Sequence, residues 1–209
     1  MRLRSDELEI LDDPEVPDAL AQQAYRELTQ FHRRLGNTGF LIDALRRDPL
    51  PVHRVLDIGC AAGGVLRDIV KELAVEAIGV DLAPRDPSIL KLDAIREELP
   101  RVDVAFALYL AHHLSDTDLA GLIRNVGRSS RRFILLDIVR HPLPLALFRL
   151  LVAPFSSPVV VSDGLVSFRR AYTGAELAAV TADALQGSSA TFCHSVTRFR
   201  SRQVIDITY

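Results

Sequence analysis

Residues Val55–Gly64 read VLDIGCAAGG, and the fold turns on this stretch. A short apolar run carrying one carboxylate, Asp57, passes into Gly59, Cys60, Ala61, Ala62, Gly63 and Gly64, where side-chain bulk almost vanishes. Small residues at a strand end let the backbone approach a ligand and present N–H groups from the start of the following helix. The plain alternative is a tight strand-to-helix turn made for packing alone.

The flanking sequence gives that turn its setting. From His53 onward, short β-branched runs alternate with helical patterns, which predicts strands at 53–58, 76–80, 89–92, 102–108, 132–138, 190–196 and 202–208. Helical spacing falls at 65–73, 116–126 and 173–184, with Leu66, Ile69, Val70 and Leu73 on one face. Upstream, Leu20, Ala24, Leu28, Phe31 and Leu35 recur at three- and four-residue steps, predicting an amphipathic helix ended by Gly36, and a shorter helix covers 40–46. Strand, helix, strand in repetition predicts an α/β protein with a doubly wound sheet. Ligands of such sheets bind at the carboxyl ends of the strands, near the point where strand order reverses, so VLDIGCAAGG is a ligand turn by position.

The turn also restricts the ligand. A dinucleotide fold asks for GxGxxG, whereas here Ala61 stands at the place of the second glycine. A phosphate loop asks for Lys and Ser or Thr after the glycines, where this chain has Val65 and Leu66. Asp57, two residues before Gly59, favours a cationic ligand group over a phosphate. Asp81, at the end of the next strand in IGVDLAP, can accept from a ribose diol.

VLDIGCAAGG followed by GVDLAP resembles the cofactor motifs of class I S-adenosylmethionine-dependent methyltransferases. LKLDA, with Asp93 and Ala94, stands where that superfamily reads the adenine amine, and VDVAFALYLAHHLSD resembles its fourth strand and the loop after it. The resemblance covers residues 50–140. It implies S-adenosyl-L-methionine as cofactor, held by Asp57, Gly59, Cys60, Ala61, Gly63, Asp81, Leu82, Asp93, Ala94 and Leu108. A narrower resemblance, carried by ELEILDDPEVPDAL, LGNTGF, LLDIVRHPLPLALFRLL and SDGLVSFRRAYTGAEL, is to bacterial small-molecule methyltransferases of polyketide and phenolic-lipid pathways. It implies a Rossmann-like seven-stranded sheet with a reversed last strand, in a single domain. The implied parts are an N-terminal helical cap (1–48), a cofactor-binding core (49–140), an apolar lid inserted after the fifth strand (141–172), and a C-terminal helix with strands (173–209). One departure is the connection LAPRDPSILKL between Asp81 and Asp93, too short for the usual linking helix, which leaves the adenine side more open and gives Asp93 a weaker claim than Asp81. A short connection also resembles the RNA 2'-O-methyltransferases of the ribosomal heat-shock type, but their lysine tetrad has no counterpart in a chain whose only lysines are Lys71 and Lys91.

Methyl transfer is mostly a matter of positioning, and an oxygen acceptor must also lose its proton. His113 and His112, after the fourth strand, are candidate bases, His113 the favoured one; packing or capping of the next helix is their structural alternative. Asp137, at the end of the fifth strand, is the candidate group to orient a base or hold a hydroxyl, or else a partner of Arg140. Tyr109, Arg140, His141, Arg169 and Tyr172 are the candidate acceptor contacts, with an ion pair between Asp163 and Arg169 as the plain alternative in the polar run SDGLVSFRRAYT. Thr173 and Glu176 form a T-x-x-E capping box. His32, His53 and His194 read as packing or surface residues, and Arg33 as a candidate for the cofactor carboxylate. The carboxylates show no ligand spacing, so no metal is expected.

Composition bounds the partners. With 25 Lys and Arg against 27 Asp and Glu, the net charge of -2 gives no basic field for nucleic acid. The two distant cysteines, Cys60 and Cys193, and an acidic N-terminus without an apolar signal core point to the cytoplasm. The apolar stretch His141–Val161 is broken by four prolines and Arg149, which argues against a membrane span and for a short helix over an apolar cavity. The expectation is a methyltransferase acting on the hydroxyl of a small apolar phenol or pyrone. Carbon methylation of a quinone or aromatic ring, and a non-methylating binding module or cyclase, are the alternatives. A homodimer through the lid or N-terminal helices is left open.

Overall fold

A computed structural model describes residues 4–13 and 15–209. Seven strands form one sheet in the order β3-β2-β1-β4-β5-β7-β6. They are β1 Arg54–Ile58, β2 Glu76–Asp81, β3 Leu90–Lys91, β4 Val104–Leu108, β5 Arg132–Asp137, β6 Thr191–Val196 and β7 Gln203–Thr208. The first five run parallel, and β7 is antiparallel to both β5 and β6. The order reverses at β1, whose neighbours are β2 and β4, so the glycine turn sits at the switch point.

The period-two pattern of the central strands feeds two cores. Val55, Val104, Phe106, Ile134 and Leu136 pack on one face with α2 (Asn37–Arg46) and α3 (Gly64–Glu72). Leu56, Ile58, Ala105, Ala107, Phe133 and Leu135 pack on the other with α4 (Asp116–Val126), joined there by α7 (Gly174–Ala184). Burying both faces explains why these strands read as nearly continuous apolar runs. Phe106 is fully buried, and such a ring contributes on the order of 3 kcal/mol by its burial.

The predicted elements recur within a few residues of their expected ends. Helix α1 spans Asp18–Arg34, and Gly36, in the left-handed region at φ 73°, turns the chain directly into α2. The connection 82–89 holds turns and no helix, as its length requires. Thr173 Oγ1 accepts from the Glu176 N–H while the Glu176 carboxylate accepts from the Thr173 N–H, which completes the capping box. The insertion is more helical than a single short element: α5 (Pro142–Leu147), a π-helical turn at Phe148–Val152, a 3-10 turn at Ala153–Phe155, and α6 (Pro158–Arg170). Among the described residues, no helix is long and apolar enough to cross a membrane.

Candidate active site

The carboxyl ends of β1, β2 and β4 open into a cavity of about 830 Å³ that reaches from the glycine turn to the inserted helices. At the turn, Gly59 takes φ 75° and its N–H donates to Val80 O at 2.9 Å; a Cβ there would lie 2.8 Å from Leu110 Cδ1. Ala61 also takes a left-handed conformation, φ 48°, which costs an alanine about 1 kcal/mol. Asp81 holds it there: Oδ2 accepts from the Ala61 N–H and Oδ1 from the Ala83 N–H, both at 2.8 Å. Nothing in the local sequence marks this bracing role. Gly64, at the start of α3, has no room for a side chain, since a Cβ would lie 2.1 Å from Thr29 Oγ1 of α1.

Asp57, only 3 % exposed, lines the cavity floor. Burial, and the neighbouring charge of Asp81, push its carboxyl up to about 8. A carboxylate in that position is stabilised by a cationic ligand group. Burial likewise pushes the Cys60 thiol up, aided by Asp57 and Asp81, so it remains a neutral thiol. Leu82, Asp93, Ala94 and Leu108 line the same region. Asp93 is already engaged, by Arg96 at 2.7 Å and the Ile95 N–H at 2.9 Å. Gly63 does not line the cavity; its left-handed conformation (φ 66°) caps α3.

At the opposite end, His112 is 3 % exposed and doubly tied to Asp137, whose Oδ2 accepts from the His112 N–H and whose Oδ1 lies 2.8 Å from Nδ1. Its Nε2 lies 3.5 Å from Glu9 Oε1. Burial alone would push this imidazole down, yet the charge and hydrogen bond of Asp137, with those of Glu9, hold it up at about 10. Burial opposes ionisation of Glu9 as well, but His112 and His113 outweigh it and bring the carboxyl below its usual range. His113 Nδ1 lies 3.1 Å from Asp12 Oδ1 and its Nε2 lies 3.8 Å from Glu9 Oε2. Asp12 is also bound by Arg170 at 2.7 Å, and despite partial burial its carboxyl is held well below the ordinary value by His113 and Arg170. Glu9, Asp12, His112 and His113 all line the cavity; Asp137 stands behind His112.

Glu9 and Asp12 were invisible to motif reading, being two acids in an acidic stretch. They reach the site because α6 grips the N-terminal segment: Asp163 accepts from the Ile10 and Leu11 N–H groups at 2.7 and 3.0 Å, and Arg169 pairs with Glu7. The Asp163–Arg169 pair, offered as the plain alternative in the polar run, is not formed; each residue binds the N-terminal segment instead.

Four expected acceptor contacts lie outside the cavity lining. Arg140 is buried and paired with Glu176, the acid of the capping box. His141 caps α5, its Nδ1 accepting from the Leu143 N–H at 3.2 Å. Arg169 points at Glu7, and Tyr172 is buried beneath the Arg4 guanidinium with its hydroxyl donating to Asp116 at 2.9 Å. Arg33 forms a double hydrogen bond to Asp68 at 2.6 Å and does not line the cavity.

Tyr109 does line it, at a strained left-handed φ of 56°. Burial pushes its phenol up to about 12, and its hydroxyl accepts from Asn37 Nδ2 at 3.1 Å. His32, read from sequence as a packing residue, also lines the cavity; it touches Tyr109 edge-on at 4.8 Å between ring centres, and burial pushes it down to about 4. Arg202 binds Asn37 Oδ1 at 2.8 Å and completes this wall from the β6–β7 hairpin. Leu28, Phe31, Leu147, Phe148, Leu151 and Phe168 make the rest of this end apolar.

Solved structures share the fold. The plantazolicin methyltransferase BpumL, in complex with SAH, superposes with a TM-score of 0.71 over 95% of this chain and 92% of its own, at 12% identity. The fold is that of a class I methyltransferase. A putative O-methyltransferase from Nostoc punctiforme matches with a TM-score of 0.57 at 16% identity, covering 87% of this chain and 59% of its own. Magnesium protoporphyrin IX methyltransferase from Synechocystis, with bound SAH, matches at 0.54 and 16% identity over 94% and 89%. No protein-family model and no curated protein matches the chain.

Proposed function

We propose that this protein transfers a methyl group from S-adenosylmethionine to an oxygen of a small, largely apolar acceptor of the phenol or pyrone type. The supporting observation is a single cavity that joins a braced glycine turn and a buried carboxylate to a histidine pair under apolar helices. When bound, S-adenosylmethionine supplies an electrophilic methyl group on a sulfonium. Asp57 offers its carboxylate to the cofactor's positive charge. Asp81 keeps the turn in register and retains lone pairs for the ribose diol. Leu82, Asp93, Ala94 and Leu108, which line the same cavity, are assigned to the adenine side.

On the acceptor side, Phe31, Phe148 and Phe168 offer faces for a flat apolar ring, and the apolar walls exclude water. The cluster of His112, His113, Glu9 and Asp12 is where the acceptor hydroxyl is held, and its proton passes to His113 as the new oxygen–methyl bond forms. His112, tied to Asp137, is fixed in orientation; His113, more exposed to the cavity, is the first of the pair that an acceptor meets. An apolar cavity and a net charge of -2 favour a small molecule over nucleic acid, and free Cys60 and Cys193 suit a reducing compartment such as the cytoplasm.

The test is a methyl-transfer screen of phenols, resorcinols and pyrones, with products resolved by NMR. An oxygen-bound methyl supports the reading. A ring-carbon methyl would move the acceptor atom to carbon, and cofactor binding with no product from any of these classes would contradict the acceptor assignment.

A further inference from the structure

The histidine cluster is built in a way that acid–base chemistry alone does not require. We propose that Glu9, His112 and His113 form a binding site for a divalent transition-metal cation, with Zn2+ the simplest fit, open toward the acceptor end of the cavity.

One donor atom from each residue lies within 4.8 Å of the other two. The two Nε2–Oε separations are 3.5 and 3.8 Å. Ligands around a tetrahedral zinc with bonds of ~2.0–2.1 Å stand about 3.3 Å apart, so small side-chain rotations close the site. Both rings are turned the same way: His112 presents Nδ1 to Asp137 and His113 presents Nδ1 to Asp12, which leaves each Nε2 for the common point at Glu9. Carboxylates on the far nitrogens of metal-ligating histidines fix the tautomer and raise ligand basicity.

Two nitrogen donors and one carboxylate suit Zn2+ or its transition-metal neighbours better than Mg2+ or Ca2+, which take oxygen ligands. Three protein ligands leave a fourth position, the pattern of a catalytic rather than a structural zinc. If the reading under Proposed function holds, that position takes the acceptor oxygen and the cation favours its deprotonated form; the metal site itself does not depend on it.

The experiment uses the full chain, stripped with a chelator and titrated with Zn2+ against a chromophoric competitor, and with Co2+ followed by visible absorption. The expected result is one equivalent of Zn2+ bound below the micromolar range and the absorption bands of four-coordinate cobalt. Glu9→Gln, which keeps the shape of a buried side chain, and His113→Gln, at a partly exposed position, should each weaken binding about 100-fold, and Asp12→Asn, which removes the charge behind a ligand, about 10-fold. Absence of stoichiometric binding, or binding unchanged by Glu9→Gln and His113→Gln in variants whose thermal melts match the parent, overturns the proposal. S-adenosylmethionine titrated into the same samples separates the two readings. Zinc bound without cofactor binding upholds the metal site and removes methyl transfer, whereas cofactor bound without zinc removes the metal site alone.

Discussion

At the glycine-turn end of the cavity, the site residues come from the ends of β1, β2, β3 and β4 and the turns directly after them. At the histidine end they come from the N-terminal segment, the loop after β4, the end of β5 and helix α6, brought together by long-range ion pairs. The first end is set by backbone geometry inside a parallel sheet, the second by side chains that must find one another. Such a division makes the two ends separable: changes at one should leave ligand affinity at the other intact.

The largest effect expected from that separation is at the histidine end. His113→Ala or His112→Ala should lower turnover by about 10²–10⁴-fold while leaving S-adenosylhomocysteine affinity unchanged. Parallel loss of both would break the division, and full activity in both variants would remove the pair from the chemistry. At the other end, Asp81→Ala withdraws two charge-assisted hydrogen bonds from the turn, worth roughly 2 kcal/mol, so cofactor affinity should fall about 30-fold by calorimetry. An unchanged affinity would take Asp81 out of the site.

The reach of the sequence follows the same line. The seven strands and VLDIGCAAGG were legible because β-branched runs, small residues and the strand-end acids Asp57 and Asp81 all lie within local windows. Thr173 and Glu176 were legible for the same reason. The pairing of Glu9 with two histidines was not, because an acid in an acidic segment carries no mark of its eventual partner. Arg140, Arg169 and Tyr172 misled in the opposite direction: polar groups beside an apolar insertion suggest ligand binding, yet they pair with Glu176, Glu7 and Asp116 outside the cavity. The π-helical turn at Phe148–Val152, which brings Phe148 and Leu151 to the cavity, has no local signature either.

Two smaller effects sharpen the comparison. Asp57 has its folded-state carboxyl raised to about 8 from 3.8, so the folded, ligand-free protein keeps a proton that the unfolded chain loses. Stability of the free protein should therefore fall as pH rises between about 4 and 8, by up to about 1.4 kcal/mol per unit, and level off above. Thermal melts of Asp57→Asn should lack this decline and exceed the parent near pH 8; identical pH profiles would show that Asp57 ionises freely. Ala61→Gly should relieve the left-handed alanine at the turn and raise stability by no more than about 1 kcal/mol, since the glycine also frees the unfolded chain. A marked destabilisation would mean that the Ala61 methyl is itself needed for packing.

The measurement that bears most directly on the account is calorimetric titration of the purified chain with S-adenosylmethionine and S-adenosylhomocysteine. The account predicts that each binds one per chain in the micromolar range and that Asp81→Ala weakens both. A folded protein that binds neither would contradict it, leaving VLDIGCAAGG a packing turn in a methyltransferase fold put to another use.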